Sequence, residues 1–282
     1  MNNVKLPPQV QHVLYATENY PISGTHYATK GEITANFLTT QKEFFEGDSH
    51  LMPKGNHQEH NLDMYYWKVL LSPLINAPDF WRGKSALDFG CGCGRNIVNM
   101  LDLVNFQTVD GCDISKSNAI YASAYANHIY RDRKYEGRCK TWETSGWDLG
   151  TNAANSYDFI MSHVVFQHIG NWRVRANILS CMFDALKPGG IVSLHFMDLP
   201  DSVGYYINSP NGRDNCRVEN PEFLIDDLER CGFINCVVYQ RRDIYSGRPA
   251  YFLSGQKNPR TDIDFSITPL DPNDRPHEGG QT

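Results

Sequence analysis

The sequence predicts an α/β fold: a doubly wound, mostly parallel, seven-stranded sheet with helices on both faces and an N-terminal helical cap. Three observations carry this. Short apolar runs alternate with amphipathic segments between residues 83 and 257. Glycines at 90, 92 and 94 follow the first of those runs. The last two runs succeed each other with no helix between. Alternating strand and helix imply parallel strands covered on both faces. Such sheets hold ligands outside the carboxyl ends of their strands, where the strand order reverses.

The elements follow in order. Asp63 to Leu71 reads as a helix leading into the sheet. Ser85 to Phe89 is a buried strand stopped by Gly90. Asn96 to Val104 is helical, with Ile97 and Leu101 four apart on one face. Gln107 to Asp113 is the second strand, and Lys116 to Tyr130 an Ala- and Tyr-rich helix. Cys139 to Ser145 is a weaker strand and Tyr157 to Ser162 a strong one. Asn171 to Leu186 is a helix, closed by Lys187-Pro188-Gly189-Gly190 because proline and glycine cannot continue it. Ile191 to Met197 is the fifth strand. Glu219 to Gly232 is a helix with Pro221 in its first turn and Gly232 just past its end. Ile234 to Tyr239 and Ala250 to Gly255 complete the sheet.

The chain divides into three parts. Residues 1–80 form a cap or substrate lid. Residues 81–257 form the central domain, with 198–218 as an inserted lid segment. Residues 258–282, rich in Pro, Asp and Gly, form an extended or disordered tail.

Composition narrows the class of function. At 282 residues and 41% hydrophobic, the chain can bury a core without staples. Lys+Arg 26 against Asp+Glu 32 gives a net charge of -6 and a pI near 5.9. That balance speaks against nucleic-acid binding, which needs surplus cations to displace counterions. No run of eighteen apolar residues exists to span a membrane. The N-terminus lacks the apolar core of a signal peptide, and the eight cysteines contain no C-x-x-C pair. They read as reduced thiols in a cytoplasmic protein.

Asp88-Phe89-Gly90-Cys91-Gly92-Cys93-Gly94-Arg95-Asn96 is the most informative stretch. Glycine lets backbone approach a ligand, and a helix N-terminus offers free N–H groups and positive potential. A dinucleotide fingerprint needs a third glycine where Arg95 stands. No lysine follows the glycines, so this is not a P-loop. Asp113, ending the second strand, can accept both hydroxyls of a ribose. Cys91 and Cys93 read as small loop residues, so no metal site is expected.

Here the chain resembles the class I S-adenosylmethionine-dependent methyltransferases, in their small-molecule branch, over about three fifths of its length. Leu87 to Gly94 looks like their first motif, and Asp113 like their ribose-binding acid. Tyr157 to Ser162 looks like their fourth strand, Val165 to Ile169 like the segment after it, and Leu186 to Gly190 like the turn before the fifth. The resemblance implies a Rossmann-like fold with an antiparallel end to the sheet. It implies S-adenosylmethionine as cofactor and S-adenosylhomocysteine as product. Cofactor contacts would come from Asp88, Gly90, Cys91, Gly92, Gly94, Asp113, Ile114, Ser145, Gly146, Ser162 and His163. Ser145 departs from the family's usual acid, for which Asp148 or a backbone carbonyl could substitute.

Methyl transfer is an in-line displacement in which the protein mainly binds, aligns and desolvates. An amine or alcohol acceptor also needs a base, and His168 is the candidate; the same ring could instead brace its segment. Acceptor contacts are expected from Tyr66, Gln167, Tyr205, Tyr206 and Arg213; the aromatic groups could equally form the core of a lid. The partner expected is a small-molecule acceptor at N, O or S, with homo-oligomerisation left open. The alternatives are methylation of a protein or RNA, and cofactor binding without catalysis.

Overall fold

The computed structural model describes residues 20–21, 27–28, 30–48, 81–129, 133–150, 154–242 and 247–258. Two short strands, β1 (Tyr20–Pro21) and β2 (Tyr27–Ala28), pair antiparallel ahead of α1 (Lys30–Asp48). The sheet and its helices then run β3 (Ser85–Phe89), α2 (Arg95–Leu103), β4 (Thr108–Asp113), α3 (Lys116–Ala124), β5 (Thr141–Glu143), β6 (Tyr157–Ser162), α4 (Trp172–Ala185), β7 (Leu186–Met197), α5 (Glu222–Arg230), β8 (Phe233–Arg242) and β9 (Pro249–Lys257). The helix over 63–71 and the tail from 259 onward lie outside the described residues.

The seven strands are ordered β5-β4-β3-β6-β7-β9-β8. Pairings from β5 through β7 are parallel, whereas β9 runs antiparallel to both β7 and β8. The order therefore reverses beside β3: the chain moves outward to β4 and β5, then returns to β6 on the other side. The carboxyl ends of β3 and β6 meet at that switch point, as expected of a doubly wound sheet.

Side-chain alternation divides the core into two layers. Leu87, Phe89, Ile160, Val192, Leu194 and Phe196 face one side, where Phe37 of α1, Ile178 and Met182 of α4 and Leu228 of α5 cover them. Ala86, Val109, Phe159, Met161 and Phe252 face the other, beneath Ile97, Val98 and Leu101 of α2 and Ala122 of α3.

The helices start at defined caps. The Ser115 hydroxyl accepts from the Asn118 amide at 3.1 Å to begin α3, and the Asn171 side chain accepts from the Val174 amide at 3.3 Å to begin α4. Three expectations need correction. The helix expected over 116–130 ends as an α-helix at Ala124 and continues as a π-turn to Ile129. There Asn127 bonds the Cys139 carbonyl and the Gly137 amide, so a tertiary contact displaces the regular ladder. The stretch 187–190 is not a free turn: β7 begins at Leu186, paired with Tyr157, and absorbs the glycines in an irregularity before Ile191. The helix expected over 219–232 is confined to 222–230, its start fixed by the Asn220 side chain on the Glu222 amide.

The segment between β7 and α5 is irregular but tied down. Val203 bridges Cys216, and Asn208 bridges Asn171. It also clasps α1. Asn36 Nδ2 donates to the Pro210 carbonyl at 2.8 Å, and the Gly212 amide to Thr40 Oγ1 at 2.6 Å. Gly212 lies so close to the backbone of α1 that a Cβ would strike Gln41 N and Phe37 O. The far end of α1 is held separately, where Glu46 accepts from the hydroxyls of Ser115 (2.7 Å) and Ser117 at the start of α3. Those hydroxyls lower its carboxyl pKa, and an acid there suits the positive end of α3.

Candidate functional site

One cavity, of about 420 Å3, lies at the carboxyl ends of β3, β4, β5, β6 and β7. Its floor is the glycine loop. The amides of Gly90 and Cys91 both donate to the Cys112 carbonyl, at 2.8 and 3.0 Å, so the loop folds back over β4. The Gly92 amide donates to Asp113 Oδ2 at 2.9 Å, and the Ser115 amide to Asp113 Oδ1 at 2.9 Å. Asp113 thus joins the loop to the β4–α3 turn. Burial pushes its carboxyl pKa up, against the pull of these donors.

Gly90, Cys91, Gly92, Asp113, Ile114, Gly146 and His163 line the cavity, together with His168. Gly92 has nothing within 4 Å of where a Cβ would stand, so the floor there is bare backbone facing open space.

Other expected residues stand elsewhere, each for a physical reason. Gly94 is the N-cap of α2 at φ 88°, and a Cβ on it would meet Ala122 at 3.1 Å; it lets α2 and α3 close up. Asp88 is fully buried beneath the loop, its carboxyl pushed well up by desolvation and pulled back by Arg95 and Asn96. The Ser162 hydroxyl donates to the Phe89 carbonyl at 2.9 Å and braces β6 to β3. Ser145 is exposed and bonds Asp148 and the Trp147 amide within its own turn; its buried neighbour Thr144 lines the cavity instead. Asp148 is likewise occupied, accepting from the Gly150 amide at 2.8 Å.

The expected acceptor residues move further. Gln167 is fully buried and not on the cavity wall. Tyr205 and Tyr206 belong to the buried core and do not line the cavity. The Tyr205 hydroxyl donates to Asp227 at 2.8 Å, its ring lies 4.6 Å from the buried Arg175 guanidinium, and Tyr206 packs on Phe223 and Trp172. Arg213 is exposed and lies over Phe44, 5.4 Å from the ring centre. Tyr66 falls outside the described residues.

What replaces them comes from α1 and from β7. Gln41 and Phe45 of α1 form one wall, and Gln41 Nε2 donates to the His168 carbonyl at 2.9 Å. His195 and Met197 of β7 form another, with Arg95, Asn96, Asn118, Val165 and Ile169 completing it. No periodic signal marks Gln41 or His195; their place depends on tertiary packing. Arg95 was legible as the residue that breaks the dinucleotide fingerprint.

Three histidines face the cavity. His163 Nδ1 lies 3.3 Å from Arg95 Nη2, and its ring centre 5.0 Å from that of His195. Burial, then His195 and Arg95, hold its pKa well below the usual value. His168 Nδ1 lies 2.9 Å from Asn215 Oδ1, and burial lowers its pKa against that bond. Between them, Val164 lines the cavity at φ 61°. A β-branched residue in the left-handed region costs roughly 1–3 kcal/mol, and such strain gathers at ligand sites.

Residues 87–192 match the family described as methyltransferase domain. No curated protein matches the chain. Among solved structures the chain is similar to the phosphoethanolamine N-methyltransferase 2 of Haemonchus contortus, crystallised with phosphomonomethylethanolamine and S-adenosylhomocysteine. The TM-score is 0.51 at 18% identity, covering 68% of this chain and 53% of that one. The same worm enzyme with S-adenosylmethionine matches at TM-score 0.51 and 17% identity, with the same coverage. The chain therefore spans about half the length of those enzymes. It is also similar to the [4+2]-cyclase SpnF, at TM-score 0.51 and 15% identity, covering 68% of this chain and 80% of that one. The fold is shared by a methyltransferase and a cyclase, so chemistry has to be argued from the site.

Proposed function

We propose that this chain, through the region 87–192 that matches the methyltransferase domain, moves the methyl group of S-adenosylmethionine to an N, O or S atom of a small metabolite. One observation carries the reading: the glycine loop, Asp113 and His168 face a single cavity at the switch point of the sheet.

The residues present fit the cofactor. The bare backbone at Gly92 gives a ligand room against the loop, Asp113 stands ready for ribose hydroxyls, and Ile114 and Thr144 offer a shelf and a polar group for an adenine. About 420 Å3 lies within the range of small-molecule sites. The bound cofactor supplies an electrophilic methyl on a sulfonium, and the protein's share is alignment, worth roughly 7–11 kcal/mol when two reactants are held in line.

His168 would act on the acceptor. An amide oxygen only accepts, so facing Asn215 Oδ1 makes Nδ1 the N–H donor of the ring and leaves Nε2 with a lone pair. With the pKa lowered by burial, the neutral ring is the resting form at neutral pH and can take a proton from an amine or alcohol. A small acceptor fits a cavity of this size, one wall of which is Gln41 and Phe45 of α1. Among the described residues no helix is long and apolar enough to cross a membrane.

The test is a melting titration with S-adenosylhomocysteine, using NAD as control. Binding to the folded state alone adds RT ln(1 + [L]/Kd), about 2.7 kcal/mol at a hundredfold excess. A saturable rise with S-adenosylhomocysteine and none with NAD is expected. No rise from either would set the cofactor reading aside.

A further inference from the structure

We propose that Gln41 decides which atom is methylated: its side-chain oxygen and the lone pair of His168 Nε2 together select a primary amine, and transfer stops at one methyl group. This rests on the cofactor reading and deepens it.

The geometry begins on α1. Gln41 and Phe45 stand one helical turn apart, so both side chains leave the same face. Both close on His168. Gln41 Nε2 donates to its carbonyl at 2.9 Å, and the Phe45 ring meets its imidazole edge-on, 5.9 Å between centres. A carbonyl only accepts, so that bond settles which end of the Gln41 amide is nitrogen. Oε1 is the other end. Gln41 is 4% exposed and lines the cavity, and none of the described residues donates to its Oε1. His168, on the same cavity, is arranged alike. Asn215 Oδ1 takes its Nδ1–H at 2.9 Å, and none of the described residues bonds Nε2. One wall thus carries two lone pairs without a donor among the described residues, and both belong to groups fixed by their other end.

Two acceptors call for two donors on the molecule that meets them. A neutral primary amine brings two N–H bonds and one lone pair. With one hydrogen on Gln41 Oε1 and the other on His168 Nε2, the lone pair is left for the methyl group. That pair forms the N–C bond, and the C–S bond breaks with its own pair left on sulfur. The nitrogen is then positive and still holds both hydrogens. His168 Nε2 takes one of them and passes it to solvent. An alcohol or a thiol brings a single hydrogen, and so does the secondary amine that the first transfer makes. Each of these leaves one desolvated lone pair unpaired, and sites built to pair such a group reject a ligand that lacks the partner.

The experiment uses full-length protein, S-adenosylmethionine with a trideuterated methyl group, and a small-metabolite extract; mass spectrometry locates the label. One labelled methyl per product is expected, on a nitrogen that keeps one hydrogen. With that amine and its N-methyl derivative in pure form, kcat/KM for the primary amine should exceed that for the secondary amine at least tenfold. In Gln41→Leu the primary amine should lose at least tenfold and the secondary amine less than threefold, so the preference collapses. An equal loss for both amines would mean that Gln41 only braces His168, and would overturn the proposal. A label on oxygen or sulfur, or two labels on one nitrogen, would overturn it from the wild type alone, whether or not the variant folds. So would a tenfold loss of S-adenosylhomocysteine in Gln41→Leu with 5′-methylthioadenosine, which lacks the amino-acid part, unaffected; Gln41 would then serve the cofactor's amino group. No labelled product from protein that binds S-adenosylhomocysteine would remove transfer to a small metabolite, and the proposal with it. Failure to bind S-adenosylhomocysteine would remove the cofactor reading itself.

Discussion

His168 Nδ1 and Asn215 Oδ1 meet at 2.9 Å, joining the turn after β6 to a segment that enters the chain forty-seven residues later. The bond fixes the ring's tautomer with a neutral partner. A carboxylate in that place would favour the imidazolium and spoil a base; an amide orients the ring without charging it.

Replacing His168 by Ala should therefore lower kcat by about 10²–10⁴-fold with an amine or alcohol acceptor. S-adenosylhomocysteine affinity should stay within about twofold by calorimetry. An unchanged turnover would remove His168 from the chemistry.

Asn215→Asp is the more telling variant. The new carboxylate raises the pKa of His168, so the acidic limb of the kcat/KM profile should move to higher pH. Asn215→Ala should cut kcat without that displacement. Identical pH profiles in all three proteins would show that the bond is structural only.

Asp113→Ala should weaken S-adenosylhomocysteine by about 1–3 kcal/mol, the cost of losing hydrogen bonds to a charged group. Ser145→Ala should leave that affinity nearly untouched, since its hydroxyl is used inside its own turn. The opposite ranking in a calorimeter would reverse the assignment.

His163 makes stability depend on pH. Its folded pKa is held below the unfolded value of 6.5, so its contribution is complete above that value and is lost as the pH falls through the interval beneath it. Asp88 has the opposite sign, because its folded pKa is raised and acid favours the folded state. Comparing wild type with His163→Gln isolates the histidine: the variant should lose less melting temperature between pH 7.5 and 5.5. A steeper fall in the variant would contradict the assignment.

Most of this architecture was legible. Strand and helix alternate visibly because a sheet buried on both faces needs continuous apolar runs, and Ile97 and Leu101 show their helix by spacing alone. The glycine loop and Asp113 were legible because their backbone demands are local. The rest of the site was not. Thr144 and Ser145 are adjacent, and only the direction of the turn decides which faces the cavity. Tyr205 and Tyr206 looked like lining because aromatic pairs suit ligands, yet the buried Arg175–Asp227 network claims them for the core. Gln41 and Phe45 reach the site through contacts with residues far away in sequence, which no local pattern encodes.

The clasp between α1 and the segment around Gly212 is expected to govern product release as well as to hold one wall of the site. A product seated beneath Gln41 and Phe45 would then depart when that clasp parts, and loop opening commonly occupies microseconds to milliseconds. Turnover would then be paced by departure: a rapid-quench trace should show one quick equivalent of methylated product followed by a slower steady rate. Thr40→Val, which removes the hydroxyl that receives the Gly212 amide, should hasten the slow phase and leave the first equivalent alone. A trace linear from its start would place the delay in the methyl transfer itself.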